Sequence, residues 1–263
     1  EFNYLGYAKA IGCKDPQVLG RELSPFTFAR TKKQVAPQLP ARLDEVIRVE
    51  MTSRQAKLYE QLRTSRDLEV LLSLPEDKLE QTVVVKNTLA AIVRLQQLSC
   101  DPKLLGLNIS SGKLEWLHEF VGDRPHEKMV IFTRFRDVAI RLAEELDADL
   151  IVGGQKQDER PGARFLAGEK RLLVGTISAM REGLNLQIAS TAVFVDQDWS
   201  SILMAQAADR IHRIDITEPK RVIFLCASPV DRLIYKAFTS KWSEARLVFE
   251  FVQEVRNGGR KAA

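Results

Sequence analysis

The order of apolar segments predicts an α/β protein built on a parallel sheet covered by helices. Three observations carry this. Short continuous apolar runs recur at MVIFT (129–133), RLLVGT (171–176), TAVFVD (191–196) and RVIFLCAS (221–228), and runs of that length without alternation read as strands buried on both faces. Between them lie stretches of helical periodicity such as RDVAIRLAEEL (136–146) and DERPGARFLAG (158–168). The alternation of strand and helix supplies the long crossovers that parallel pairing requires.

Taken from the amino terminus, residues 1–30 have weak periodicity and several Gly and Pro, and read as a connector that packs against something outside this sequence. The abrupt start at Glu1-Phe2 suggests a piece of a longer polypeptide. A basic stretch, FARTKKQVAPQLP (28–40), places Arg30, Lys32 and Lys33 where they either approach phosphates or form a solvated charge run. EVIRVEM (45–51) alternates like a half-exposed strand, and Thr52-Ser53 caps a helix over SRQAKLYEQLRTS. Residues 67–100 are helical again, broken at Pro75 and ended by Asp101-Pro102, so a helical subdomain is expected. Ser110 or Ser111 caps the next helix, whose apolar positions are Leu114, Leu117, Phe120 and Val121. The final amphipathic stretch, residues 230–255, forms one long helix or two before a basic tail. The expected division is 1–30 connector, 31–105 linker strand and helical protrusion, 106–228 sheet domain, and 229–263 terminal helix and tail.

Composition sets outer bounds. The 263 residues, 45% hydrophobic and 28% charged, are ordinary for a globular chain with a sizeable core. A net charge of +4 permits a polyanionic partner without requiring one. Cys13, Cys100 and Cys226 are odd in number and lack metal-ligand spacing, which predicts a reduced, intracellular protein and no metal site on this chain. No apolar run approaches the roughly 18 residues that a membrane span needs.

One stretch concentrates phosphate-binding chemistry. QAADRIHRI (206–214) spaces Gln206, Arg210 and Arg213 by four and three residues, which places them on one face of a helix. Two guanidiniums and an amide offer fixed donors to a phosphate chain, and they follow the carboxyl end of the strand TAVFVD, the edge at which open parallel sheets bind ligands. Other matches fail. GLNISSGKL imitates a nucleotide-binding loop, but Gly106 and Gly112 are one residue too far apart and Leu114 stands where a magnesium-binding hydroxyl is required. Asp44-Glu45 precedes an alternating strand instead of ending a buried one. No nucleophile with an activating base is apparent.

Together the ordered motifs resemble a family. KMVIFTRF, Gly153 with Arg160, VGTISAMREGLNLQIASTAVFVDQDWS and QAADRIHRI resemble the second RecA-like lobe of superfamily 2 helicases, specifically Swi/Snf-type double-stranded-DNA translocases. FARTKKQVAPQLP, MTSRQAKLYEQL, RLQQLSCDP and SGKLEWL fit the same order, so the resemblance covers roughly residues 24 to 240.

The resemblance implies a RecA-like sheet with helices on both faces and a helical protrusion. It implies ATP and Mg²⁺ as cofactors, held mainly by a first lobe carrying the nucleotide-binding loop, and double-stranded DNA as partner alongside that first lobe. Arg213 is then the arginine finger and Arg210 a supporting catalytic contact; Gln206, Glu182, Gly183 and Asn185 face the nucleotide; Thr133, Arg134, Thr176 and Ser178 hold DNA phosphates. Arg181-Glu182-Gly183 and the short segment between Pro102 and Ser110 point to a compact bacterial or phage member. A cytoplasmic location follows for such a host, and a nuclear one for a eukaryote. Asp209 and Asp215 stand beside the arginines, where they either weaken the local positive potential or contact the other lobe. A non-catalytic nucleic-acid-binding lobe and a true unwinding DNA or RNA helicase are the competing readings. An unrelated doubly wound enzyme loses because no G-x-G-x-x-G opens its first strand-helix turn.

Overall fold

The structure is a computed structural model that describes residues 36–64, 81–154, 162–181, 184–213 and 216–240, with residues 81–89, Arg181 and Ser240 as backbone alone. The chain divides after Leu39 into two units, the first of which is described only over the turn at 36–39. The connector 1–30, Arg30, Lys32, Lys33, Arg160, Glu182, Gly183, Asp215 and the stretch beyond residue 240 lie outside the described residues.

The second unit carries a six-stranded sheet in the order β1-β6-β5-β2-β4-β3, every pair parallel. The strands are β1 (Arg42–Arg48), β2 (Met129–Thr133), β3 (Asp149–Ile151), β4 (Leu172–Thr176), β5 (Thr191–Phe194) and β6 (Lys220–Cys226). The helices are α1 (Ser53–Arg63), α2 (Gln81–Cys100), α3 (Gly112–Gly122), α4 (Arg136–Glu145), α5 (Ala163–Ala167), α6 (Ser201–Ala208) and α7 (Pro229–Ser240). β2, β4 and β5 are buried at every position, as their unbroken apolar runs predict, whereas β1 at the edge alternates, as its charged residues predict.

Helices cover both faces of the sheet. On one, Met129, Ile131, Val174 and Ile223 pack under α3 and α4. On the other, Phe132, Phe194 and Phe224 stack across three neighbouring strands with centroids 4.6 and 4.9 Å apart, beneath α6 and α7. Each such phenylalanine contributes about 2–3 kcal/mol by leaving water. α7 also carries Val230, Leu233 and Ile234 against Tyr59, Ile92 and Leu95, which fastens α1 and α2 to the sheet domain.

Local signals explain most element ends. Thr52 and Gln55 form the reciprocal capping box of α1. Asp101 caps the short 3₁₀ turn Pro102–Leu105 through its bond from Lys103 N. The expected cap of α3 differs in detail. Ser111 occupies the N-cap position, yet its hydroxyl donates to Cys100 O at 2.6 Å, and Gly112 N is taken by Gln55 Oε1 at 3.1 Å. Gly112, part of the false nucleotide loop, has a packing reason to be glycine: a Cβ there would sit 1.9 Å from Glu50 O. Gly175 on β4 is similar, with Ile151 O at 2.4 Å from the corresponding point. α5 is bracketed by Gly162 and Gly168, both in left-handed conformation.

Candidate nucleotide and DNA interface

The carboxyl ends of β2, β4 and β5 meet at one edge of the sheet, and the residues after them are built around a buried carboxylate. Asp196, two residues past β5 and fully buried, accepts from Thr133 Oγ1 at 2.6 Å and from Arg134 N at 3.2 and 3.1 Å. Cys100 Sγ lies 3.7 Å from the same carboxylate. Burial pushes the Asp196 carboxyl up to about 6, against the Thr133 bond, Lys113 and the Arg134 amide, which pull it down.

Lys113 is also fully buried, with Nζ 2.9 Å from Asp231 Oδ2 in an ion pair that is electrostatic rather than a well-directed hydrogen bond. Burial alone would lower the Lys113 ammonium, but Asp231, Cys100 and Asp196 outweigh it and hold it above its usual value. Asp231 Oδ2 further accepts from Ser99 Oγ, Ala227 N and Ser228 N at 2.7, 2.9 and 3.0 Å, while Asp231 N donates to Ser228 Oγ at 3.1 Å. Ser228-Pro229-Val230-Asp231 is thus a capping box at the start of α7. That signal is present in the sequence without having been read as a cap, and the acid closing TAVFVD is visible there as a strand end, though not as a buried carboxylate. Nothing in the pattern at Lys113 marks its charge as buried.

The four expected DNA-backbone residues divide. Thr133 and Thr176, cross-strand neighbours, are buried, and the Thr133 hydroxyl is committed to Asp196. At the strand end this hydroxyl satisfies a buried carboxylate. Ser178 is exposed. Arg134 is partly exposed; its Nη1 donates to Gln96 Oε1 at 2.9 Å and its Nε lies 3.7 Å from Asp198 Oδ2.

The arginine segment departs from the predicted geometry. α6 carries Gln206 on its exposed side but ends at Ala208, so Arg210 and Arg213 are not on its face. The physical reason lies in the bonds that capture the chain just past the helix. Arg210 N closes a short turn on Ala207 O at 3.1 Å, and Arg210 O accepts from Leu186 N at 3.2 Å. Ile211 is fully buried in the core, and His212 Nε2 donates to Pro40 O at 2.8 Å. Arg210 is half-buried with Nη1 3.5 Å from Leu184 O, whereas Arg213 is exposed. Asp209 caps α6 and pairs with Arg42 Nη1 of β1 at 2.9 Å, a contact within this unit. Asn185 is exposed and its side chain accepts from Gln187 N at 3.3 Å, shaping the loop that follows Glu182 and Gly183.

The donor set fits the phosphate end of a nucleotide: cationic and amide groups beside a sheet edge. Among the described residues no cluster of three or more His, Cys, Asp or Glu is placed to hold a metal ion. Among them, too, no helix is long and apolar enough to cross a membrane.

Comparison with known proteins agrees with this geometry. Residues 112–215 match the helicase conserved C-terminal domain and residues 12–104 the SNF2-related domain. An uncharacterised ATP-dependent helicase of Mycoplasma pneumoniae is 30% identical over 213 residues, 75% of this chain, and the chain spans only 20% of that relative. The C-terminal part of the Fun30 ATPase domain superposes with a TM-score of 0.61 at 16% identity, covering 83% of this chain and 99% of that one. The Sulfolobus solfataricus SWI2/SNF2 ATPase core in complex with double-stranded DNA gives a TM-score of 0.60 at 24% identity, over 85% of this chain and 49% of that one. The fold, the order of motifs and both family matches agree: the chain belongs to the Swi/Snf (SNF2) family of helicase-like ATPases, and its sheet has the fold of that family's C-terminal RecA-like lobe.

Proposed function

We propose that this chain is the second motor lobe of an ATP-dependent translocase on double-stranded DNA, supplying arginine fingers to a nucleotide held mainly by a first lobe. The observation that carries the reading is the two-way link between the arginine segment and the loop at 184–190. Arg210 Nη1 reaches Leu184 O while Leu186 N bonds Arg210 O, and Gln206 and Arg213 are left exposed beside that link. A group that senses nucleotide is therefore tied to a loop that contains Asn185 and follows Glu182 and Gly183 in the sequence, which is what coupling hydrolysis to movement needs.

ATP supplies a transferable phosphoryl group; Arg213 would stabilise charge on it when the lobes close, and Arg210 and Gln206 would support that contact. Mg²⁺ would belong to the first lobe. On the DNA side, Arg134 and Ser178 are the side chains open to phosphates, with Thr133 and Thr176 shaping the strand ends beneath them. Asp209 no longer argues for a non-catalytic lobe, since its charge is met by Arg42.

The test is ATP turnover by the full-length protein with and without linear duplex DNA. Arg213→Ala should lower duplex-stimulated turnover by about 10³ while leaving duplex binding intact. Turnover equal to the parent would remove Arg213 from the finger role, and steady hydrolysis by these 263 residues alone would show that no first lobe is needed.

A further inference from the structure

Gln96 lies in the last third of α2 and is fully buried. Its one amide joins both loops at the carboxyl edge. Oε1 accepts from Arg134 Nη1 at 2.9 Å, after β2, and from Trp199 Nε1 at 3.1 Å, after β5. Nε2 donates to Gln197 O at 2.6 Å. The three partners fix the amide's orientation, because turning it over would set N–H groups against the guanidinium and indole and oxygen against a carbonyl. The guanidinium it holds is the one basic group at this edge proposed above to meet DNA.

We propose that Gln96 is a positioning residue for duplex-backbone binding: it aims the Arg134 guanidinium, making α2 part of the DNA-contacting machinery. The inference rests on the reading of Arg134 as a phosphate contact. Arg134 is held on three sides, with its backbone N on Asp196, Nη1 on Gln96 and Nε near Asp198. Its side-chain freedom is thus spent before a phosphate arrives, which strengthens binding by preorganisation. The chemistry of the holder matters. A neutral amide oxygen directs the guanidinium without cancelling its charge, whereas a carboxylate at the same place would compete with phosphate for it. Asp198, at 3.7 Å, is a looser partner that leaves donors uncommitted.

The experiment measures affinity of the full-length protein for a fluorescein-labelled linear duplex of mixed sequence across a range of salt concentrations. Arg134→Ala should weaken binding by about fivefold or more and reduce the slope of log affinity against log salt by about 0.9, one phosphate contact. Gln96→Met, which keeps length and removes the amide, should weaken binding by about threefold or more with a smaller fall in slope. Added to Arg134→Ala it should do nothing further. A purely structural role would not move the salt slope and would add to Arg134→Ala. Gln96→Leu, neutral and also without the amide, should likewise weaken binding; it carries the comparison should Gln96→Met fail to fold. An unchanged affinity in the Gln96 variants, with Arg134→Ala impaired, overturns the positioning role alone. An Arg134→Ala protein that binds like its parent overturns both this inference and the DNA reading beneath it.

Discussion

The junction between β2 and β5 and the segment 206–213 face the same edge of the sheet and are built in opposite ways. At the junction, Lys113, Asp196, Asp231 and Gln96 are wholly buried and bind one another, neighbouring side chains or backbone. In the segment, backbone groups are captured by Leu186 and Ala207 while the side chains of Gln206 and Arg213 stay exposed. Buried ionic groups cost desolvation and hold a fixed arrangement; exposed ones cost little and remain available to a ligand. The molecule fixes its strand ends with the first kind of group and presents its cations with the second.

The sharpest way to break this contrast is to remove a partner from the buried side. Lys113→Met leaves Asp231 buried without its counter-charge, and such losses run to about 3–5 kcal/mol. Urea unfolding should show a stability loss of that order, whereas Arg213→Ala should fall within about 0.5 kcal/mol of the parent. Combining Lys113→Met with Asp231→Asn should recover part of the loss, since the orphaned charge is then gone. Equal effects of Lys113→Met and Arg213→Ala would erase the distinction between the two regions.

The second effect is smaller and depends on pH. Asp196 titrates at about 6 in the folded protein against an ordinary 3.8, so the native state holds its proton where the unfolded chain has released it. The sign follows: the stability this group contributes is full below about 4 and is lost as pH rises through about 6. Its neighbours Lys113, Arg134 N–H and Thr133 pull its titration down, and Asp231 pushes it up, so it reports on the whole junction. Glu45, Glu60 and Asp147 are lowered and act in the opposite sense. The readout is therefore the difference between parent and Asp196→Asn in urea midpoints from pH 4 to 7. The parent should lose stability relative to the variant as pH rises through that window. A difference that stays constant would mean Asp196 is not held as the structure has it.

How much of this was legible in the sequence also divides by region. The strands were, because Met129–Thr133 and Leu172–Thr176 are apolar throughout and only a position buried on both faces asks for that. The residue types proposed to meet phosphate were legible too, from the spacing of Gln206, Arg210 and Arg213. Their geometry was not. Helical spacing describes a face only while the helix continues, and α6 stops because Ile211 is drawn into the core and Arg210 O is bonded by Leu186. The buried junction was the least legible part. Lys113, Asp196 and Asp231 come from three distant stretches, and charge burial arises only when tertiary packing brings them together. Gln55 and Gln96 look like ordinary polar positions on amphipathic helices, yet each spends its amide on backbone or side chains far along the chain.

The smallest expected effect concerns Asp209, the acid beside the arginines. Its partner Arg42 lies on the strand that begins this unit, and His212 donates to Pro40 just before that strand. Two bonds thus tie the arginine segment to the incoming chain. Asp209 is nearly half-exposed, with 44% of its side chain open, so the pair should be worth about 0.2–1 kcal/mol in a double-mutant cycle with Arg42→Ala. The functional readout separates two roles. If Asp209 chiefly weakens the positive potential near Arg210 and Arg213, Asp209→Asn in the full-length protein should bind nucleotide more tightly. If it chiefly fixes the segment, nucleotide affinity should stay level while duplex-stimulated turnover falls by about two- to fivefold, the scale of a bond worth up to about 1 kcal/mol. The geometry favours the second outcome, because the Asp209 carboxylate is turned to Arg42 rather than left facing the exposed cations.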